Sequence, residues 1–491
     1  MDTQVVIAGA GPVGLFLAGE LRLAGVSVLV VDPLAEPSPH SKGLIVHPRT
    51  VEVLASRGLL EPFLSEGITM PSGHFAALPS RLDYGPLGTD FPFVLSVPQT
   101  RTEKLLGDNA SRLGVELRRR HRVTGFDERE REIAVTIEGP DGSYEVRADY
   151  LVGCDGANST VRAAAGIDYV GTTSTVIDWL GDVSLDNPPD TVPYATFSGK
   201  GAVMLVRMPG GVFRFVGGTP RSVTTDWLGE LTFEEFRANI ISVTGSDFGM
   251  HSPTWLSRYG NASRIASSYA QGRVLLAGDA AHQHMPTGGV GLNLGVQDAM
   301  NLGWKLAAVL NGWAPDGLLA GYHDERHQVG EAVLEITQAQ TALMSNYSPD
   351  GLRLRDVISS MIETMPEFSF TLAERISGLG VHYPPADPDA HPLTGRRVPN
   401  LGGTLFDSLN SGRYVLLEFN GSVGEVTHPW LITRSVARGE LPPEWAGVDA
   451  ALVRPDGYLA WAGAAGDARA AVAATSTATV ARQTEPVTAV R

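Results

Sequence analysis

A chain of 491 residues, 43% hydrophobic and 19% charged, is long enough for two or three packed domains and has the balance of an ordinary globular protein. Its formal net charge of −16 disfavours nucleic acid or an anionic membrane surface as a partner, since both attract basic patches. Cys154 is its one cysteine, so no intramolecular disulfide can form; with no basic, cleavable leader in the opening MDTQVVIAGAGPVG, a cytoplasmic location is expected. No stretch is long and apolar enough to span a bilayer.

Residues 4 to 8 form a short apolar run ending in glycines. VGLFLAGELRLAG follows with Leu15, Ala18, Leu21 and Leu23 at helical spacing, then the apolar run 26 to 31. Strand, helix, strand predicts a parallel sheet with a right-handed crossover. From about 116 to 152 strand-like runs recur around the turn Pro140-Asp141-Gly142 and close on DYLVG, so an interrupted first domain resumes there.

Between 171 and about 271 the pattern changes to alternating strands. In AVMLVRMPGGVFRFVGG the turn Pro209-Gly210-Gly211 joins two period-2 runs, read with Met204, Val206, Phe213 and Phe215 on one set of faces and Arg207 and Arg214 on the other. Such a greasy face serves as ordinary core or as the wall of a pocket for a large apolar ligand. Helical patterning then dominates from 291 to about 378, where Gly295, Ala299 and Gly303, four apart, permit close approach of a neighbouring helix. A third unit begins near Pro392, with Pro455-Asp456-Gly457 read as a hairpin turn. The end of the chain, rich in Ala and Thr, is expected to fray.

Three segments carry chemistry. Gly9-Ala10-Gly11-Pro12-Val13-Gly14 follows a strand and opens a helix: the first glycine permits the tight turn, the second admits a pyrophosphate, the third lets helix and strand pack. Asp32, at the end of the next strand, is placed to accept from a ribose hydroxyl, which completes a dinucleotide-binding unit. In GRVLLAGDAAHQHMPTGGVGLNLGVQDAMNLGWKL a strand delivers Gly278-Asp279, and a glycine-rich loop containing Pro286 opens a long helix at Gly291 whose free N–H groups suit a developing negative charge. The third segment, Gly153-Cys154-Asp155-Gly156-Ala157-Asn158-Ser159-Thr160-Val161-Arg162, again sits at a strand end before a helix. His282 and His284 read as ordinary loop histidines, and no metal is expected.

GxGxxG, DG and GD in this order resemble the class A flavoprotein aromatic hydroxylases, the p-hydroxybenzoate hydroxylase-like family, over roughly residues 3 to 378. VPQTRTEKLL, YHDERH and VRPDGYLAW further resemble the actinobacterial branch that oxidises aromatic polyketides, with rifampicin monooxygenases as close kin. The resemblance implies an α/β fold: a Rossmann-like FAD-binding domain (1–75, 98–170 and 271–391), an inserted β-sheet substrate domain (76–97 and 171–270), a thioredoxin-like domain (392–475) and a flexible tail (476–491). With Cys154 alone, that third domain can hold no CxxC pair, and a packing or dimer-supporting role is expected of it.

Carried over residue by residue, the resemblance assigns Val13 and Asp32 to the adenosine half of FAD and Gln99 to the flavin side. Asp155 takes the DG role and Asp279 the ribityl contact. Leu292 and Asn293 match backbone donors to the flavin ring, and Val123 a contact to adenine. Lys42 stands where these enzymes usually place an arginine, which keeps the charge but loses the planar fork. The implied activity is an NADPH- or NADH-dependent monooxygenase that hydroxylates a polycyclic aromatic polyketide in antibiotic biosynthesis, using O2 through a flavin C4a-hydroperoxide. The flavin carries the hard step, so no catalytic side chain is required. Phe75, Met204, Phe215 and Pro286 are the candidate pocket residues. Baeyer-Villiger oxidation, antibiotic inactivation and an FAD-containing antibiotic-binding protein remain as alternatives.

Overall fold

The computed structural model describes residues 2–476 except 228, 386, 420–422 and 424–425. The run Val5–Ala8 is buried on both faces at the centre of a six-stranded sheet, where an unbroken apolar run fits because neither face meets water. Val28–Asp32 and Tyr150–Gly153 flank it in parallel, with Glu116–Arg119 and Val274–Leu276 outside them and Ala270–Gln271 antiparallel at one edge. The C-terminal ends of the five parallel strands therefore share one border. That border gathers Gly9, Asp32, Asp155 and Asp279 from distant parts of the chain.

Helix Pro12–Leu23 runs against helix Gly291–Leu310 along the seam of small residues. A Cβ at Gly303 would lie 2.7 Å from the Glu20 Cβ, and one at Gly295 would lie 2.5 Å from Val13 Cγ2. Three further helices follow, Gly321–Met344, Pro349–Thr364 and Pro366–Ser377. None of the described helices is long and apolar enough to cross a membrane.

Five antiparallel strands form a second sheet, ordered Tyr194–Ser198, Gly201–Arg207, Phe213–Gly218, Ile177–Leu185, Met250–Gly260. Here the structure corrects the expected grouping of faces. Arg207 pairs with Phe213, Leu205 with Phe215, Met204 with Val216 and Val206 with Arg214. The odd-numbered loop thus puts Met204, Val206 and Arg214 on one face and Arg207, Phe213 and Phe215 on the other, since a one-residue shift across a turn exchanges the faces. Phe213 and Phe215 join Val203, Leu205, Trp179, Phe236 and Ile240 in a closed core under helix Phe233–Thr244. Phe215, fully buried there, is core and not pocket wall.

Residues 76–97, expected with this sheet, add no strand to it: Arg81–Asp83 pairs with Ser72–His74, and Val94–Ser96 with Ile45–Val46 and Ile68–Met70. A mixed four-stranded sheet, followed by helix Ala468–Ala474, lies at the end of the described chain, ordered Leu431–Ser435, Tyr414–Glu418, Ala450–Val453, Leu459–Gly463. The Pro455–Asp456–Gly457 turn does join its last two strands. Asp456 is nevertheless buried, because the turn plugs into the first domain: its carboxylate accepts from Trp304 Nε1 at 3.0 Å and its carbonyl from Arg49 at 2.6 Å. Of the tail expected to be flexible, residues 477–491 lie outside the described residues.

Candidate functional site

The first glycine loop has the shape its sequence requires. Gly9 has φ +103°, and a Cβ there would sit 2.3 Å from the Cys154 carbonyl oxygen; one at Gly14 would sit 2.0 Å from the Gly9 oxygen. At Gly11 a Cβ would meet nothing within 4 Å, so the second glycine opens on free space. Helix Pro12–Leu23 has no side-chain cap, and its first N–H groups face that space with the positive end of the helix dipole behind them. A pyrophosphate fits such a cradle.

Asp32 is buried and organises the loop: Oδ2 accepts from Ala10 N–H at 2.8 Å, Oδ1 from Leu34 N–H at 2.9 Å, and Arg119 lies 3.1 Å away. Val13 wedges between Gly278 and Gly295, so the GxGxxG turn and the GD motif touch directly. The Val123 side chain is buried in the core, which leaves only its backbone for a nucleobase.

Asp155 serves as a helix cap in this chain, accepting from the Ser159 hydroxyl and from the N–H groups of Thr160 at 2.7 Å and Val161 at 3.2 Å. Arg162, over the Tyr169 ring, donates to the Ala280 and Ala157 carbonyls at 2.8 and 2.9 Å, and so ties this segment to the GD loop. By contrast the Asp279 side chain is exposed, and no described residue hydrogen-bonds its carboxylate. It is free for a ribityl hydroxyl.

Helix Gly291–Leu310 also starts without a side-chain cap, and Leu294 N–H is the first to find a helical acceptor, the Val290 carbonyl at 2.9 Å. The amides at Gly291, Leu292 and Asn293 are left as donors. The Asn293 side chain is itself spent as a clamp, accepting from His47 N–H at 2.7 Å and donating to the Ile45 and Gly289 carbonyls at 2.9 Å. Pro286 leads into Gly288 and Gly289, both at φ +68°, and a Cβ at Gly289 would lie 2.9 Å from Ile45 Cβ. His47 Nε2 holds the Gly288 oxygen at 2.7 Å, and burial lowers the pKa of this imidazole to about 4, so it is neutral and donates there.

Facing this helix start is the loop 41–43. Gln99 accepts from Gly43 N–H at 3.0 Å and donates to Glu103 at 2.8 Å, so it shapes the loop, while Lys42 is exposed. Arg214 crosses from the five-stranded sheet to the Ser41 carbonyl and makes a bidentate pair with Asp182, 2.7 Å for each bond. The face carrying Met204 and Arg214 therefore looks onto the loop that borders the start of helix Gly291–Leu310. Phe75 lies in a separate cluster with Val290, Ile336 and Tyr84, beside the Pro286 loop.

Sequence reading missed the groups that lock these parts together. Asp298, wholly buried, accepts from Gly278 N–H at 3.2 Å, His282 Nε2 at 2.6 Å and Arg326 Nε at 2.7 Å. Burial opposes its charge, but Arg326 and His282 outweigh that and hold the carboxyl below its usual range. A charged residue inside an otherwise apolar helical stripe was the available signal. Cys154 lies beside Gly9, and burial pushes its thiol pKa well up, so it is inert.

Comparison with known proteins agrees with this geometry. Residues 2–337 match the family model described as FAD binding domain, and residues 391–482 match the aromatic-ring hydroxylase C-terminal model. Similar proteins include a rifampicin monooxygenase of Streptomyces venezuelae, 42% identical with 94% of this chain and 95% of that one covered. A 12-dehydrotetracycline 5-monooxygenase/anhydrotetracycline 6-monooxygenase of Streptomyces rimosus is also 42% identical, over 94% of this chain and 96% of that one. Among solved structures, OxyS anhydrotetracycline hydroxylase from Streptomyces rimosus superimposes with a TM-score of 0.87 at 40% identity, covering 97% of this chain and 99% of that one. The open pyrophosphate cradle, the free Asp279 and the uncapped helix, with matches that span the chain, show that it belongs to the FAD-binding aromatic-ring hydroxylase family and is an FAD-dependent aromatic monooxygenase.

Proposed function

We propose that the enzyme uses NADPH or NADH and O2 to hydroxylate a ring carbon of a polycyclic aromatic polyketide. The observation that carries this reading is the sheet face holding Met204 and Val216, joined through Arg214 to the Ser41 loop beside the flavin-binding helix. A five-stranded sheet face of this kind suits a fused-ring substrate stacked near the flavin, and relatives named for tetracycline and rifampicin oxidation support that class. FAD, once bound and reduced, supplies an electrophilic oxygen atom from O2. The chain's own residues do the rest: the amides at 291–293 hold negative charge on the flavin ring, the Pro286 loop closes one side, and the sheet face, whose Arg214 and Asp182 are paired with each other, keeps water out.

In this reading residues 1–75, 98–170 and 271–391 hold FAD, 171–270 bind substrate, and 392–475 form a thioredoxin-like packing domain that would support a homodimer. Antibiotic biosynthesis in the cytoplasm is the matching context. The test is mass spectrometry of products from tetracyclic phenols, anhydrotetracycline among them, with NADPH and 18O2. Label in a new ring hydroxyl is expected. A labelled lactone would replace hydroxylation by Baeyer-Villiger oxidation, and unlabelled product would reject oxygen transfer altogether.

A further inference from the structure

The wall that faces the flavin side carries a polar group that oxygen transfer by the cofactor does not use. Asp178 begins the strand Ile177–Leu185 and, by alternation, shares the face of Asp182, whose pair Arg214 reaches the Ser41 loop. The residue is 6% exposed, and its buried Oδ1 has no hydrogen-bond partner. Buried carboxylate oxygens are nearly always satisfied, so an orphan at a ligand-facing wall points to a donor that arrives with the ligand.

The surroundings specify that donor. Oδ1 packs against the Gly218 backbone, where only glycine fits: a Cβ there would lie 2.1 Å from Asp178 Oδ1 and 2.9 Å from the Tyr347 hydroxyl, which places that phenol beside the carboxylate. Tyr259 is the cross-strand partner of Asp178, and Tyr347 stacks on Phe197, ring centroids 5.3 Å apart. Ser222 approaches from the turn after Phe213–Gly218 and pulls the carboxyl pKa part of the way down. The nearby cation, Arg355, is directed elsewhere, donating to the Ala76 and Ala77 carbonyls at 2.9 Å each and lying over the Phe197 ring. A carboxylate flanked by two phenols and an aromatic face, with no cation of its own, suits an aromatic hydroxyl.

We propose that Asp178 is the proton acceptor for a phenolic hydroxyl of the substrate, a role that rests on the hydroxylase reading above. The phenol O–H bond breaks toward Oδ1, leaving a carboxylic acid and a phenolate whose electron pair enriches the ortho and para ring carbons. Oxygen transfer to a ring carbon turns the phenolate oxygen into a dienone carbonyl; the ring C–H hydrogen then leaves as a proton to solvent, its electron pair restores the aromatic ring and the phenolate, and Asp178 returns its proton to that oxygen. Burial raises the Asp178 pKa to about 7. The base form therefore appears as pH rises through neutrality, and the rate should rise with it. Tyr259 and Tyr347, whose pKa values burial pushes well up, stay neutral throughout.

The test uses FAD-loaded wild type and Asp178→Asn with alizarin, a planar phenolic dye whose colour reports its ionisation, followed by anhydrotetracycline turnover. Asp178→Asn removes an unpaired buried charge, so it should keep its flavin and melt no lower than wild type near pH 8. Bound alizarin should ionise about one pH unit or more higher in the variant. Turnover near pH 8 should fall about 100-fold, and the rising limb near neutrality should vanish. Equal ionisation midpoints, an unchanged limb, or a wild-type holoenzyme that takes up no phenol overturns the proposal. A shifted midpoint without label in a ring carbon would keep Asp178 and reject the hydroxylase reading; equal midpoints with label would do the reverse.

Discussion

Replacing Asp298 by asparagine tests whether the GD loop is held by a buried ion pair. The substitution is isosteric but deletes the charge opposite Arg326, which keeps only the Tyr383 hydroxyl at 3.0 Å and the Leu294 carbonyl at 3.3 Å. Removing one member of a fully buried pair costs about 3–5 kcal/mol, because the other charge stays desolvated. Gly278 N–H and His282 Nε2 already share Oδ2, so the amide oxygen can keep both as a weaker, neutral acceptor, but its NH2 then meets Arg326 Nε donor to donor, which adds about 1 kcal/mol. Against a total stability of about 5–15 kcal/mol, that is a large share. Gly278 adjoins Asp279, so a loosened bond there should weaken FAD binding about fivefold. Urea unfolding of the apoprotein reads the first effect, and flavin fluorescence titration the second. Adding Arg326→Met should recover most of the lost stability by removing the stranded cation. A cost below about 1 kcal/mol with unchanged FAD affinity would refute the reasoning.

Three other predictions follow from the geometry. Gly11→Ala should leave apoprotein melting unchanged yet weaken FAD about tenfold or more, because its Cβ enters only the free space kept for the pyrophosphate. Gly14→Ala should instead cost about 1–3 kcal/mol of stability, since its Cβ collides with the Gly9 carbonyl; equal behaviour of the two variants by calorimetry would contradict the assignment. Truncation after residue 391 should give an aggregating protein, because Arg57 loses the Leu409 and Pro455 carbonyls and Trp304 loses Asp456 and Tyr414. A truncated chain of normal stability that lacks only NADPH oxidation would oppose a packing role.

Local chemistry was legible without the structure. The GxGxxG turn, Asp32, the DG and GD segments and the small-residue seam on helix Gly291–Leu310 each depend on residues close in sequence or on simple periodicity. Their meeting at one sheet border follows from parallel strands alone. What resisted reading was every feature set by a partner far along the chain. Asp155 and Asn293 kept their positions but turned out to cap and clamp, because their partners decide whether a polar side chain is free. Phe215 went to the core because loop length set the parity of the hairpin, and period-2 alternation is blind to the turn that connects two runs. Asp298 with Arg326, Arg214 with Ser41, and the unpartnered Asp178 belong to the same class. The sequence by itself determined the motifs and the cofactor class, since backbone turns and helix ends are local. Only the tertiary structure decided which charges are paired, which face of the sheet meets the Ser41 loop and which carboxylate is left over, since burial and pairing are properties of neighbours in space.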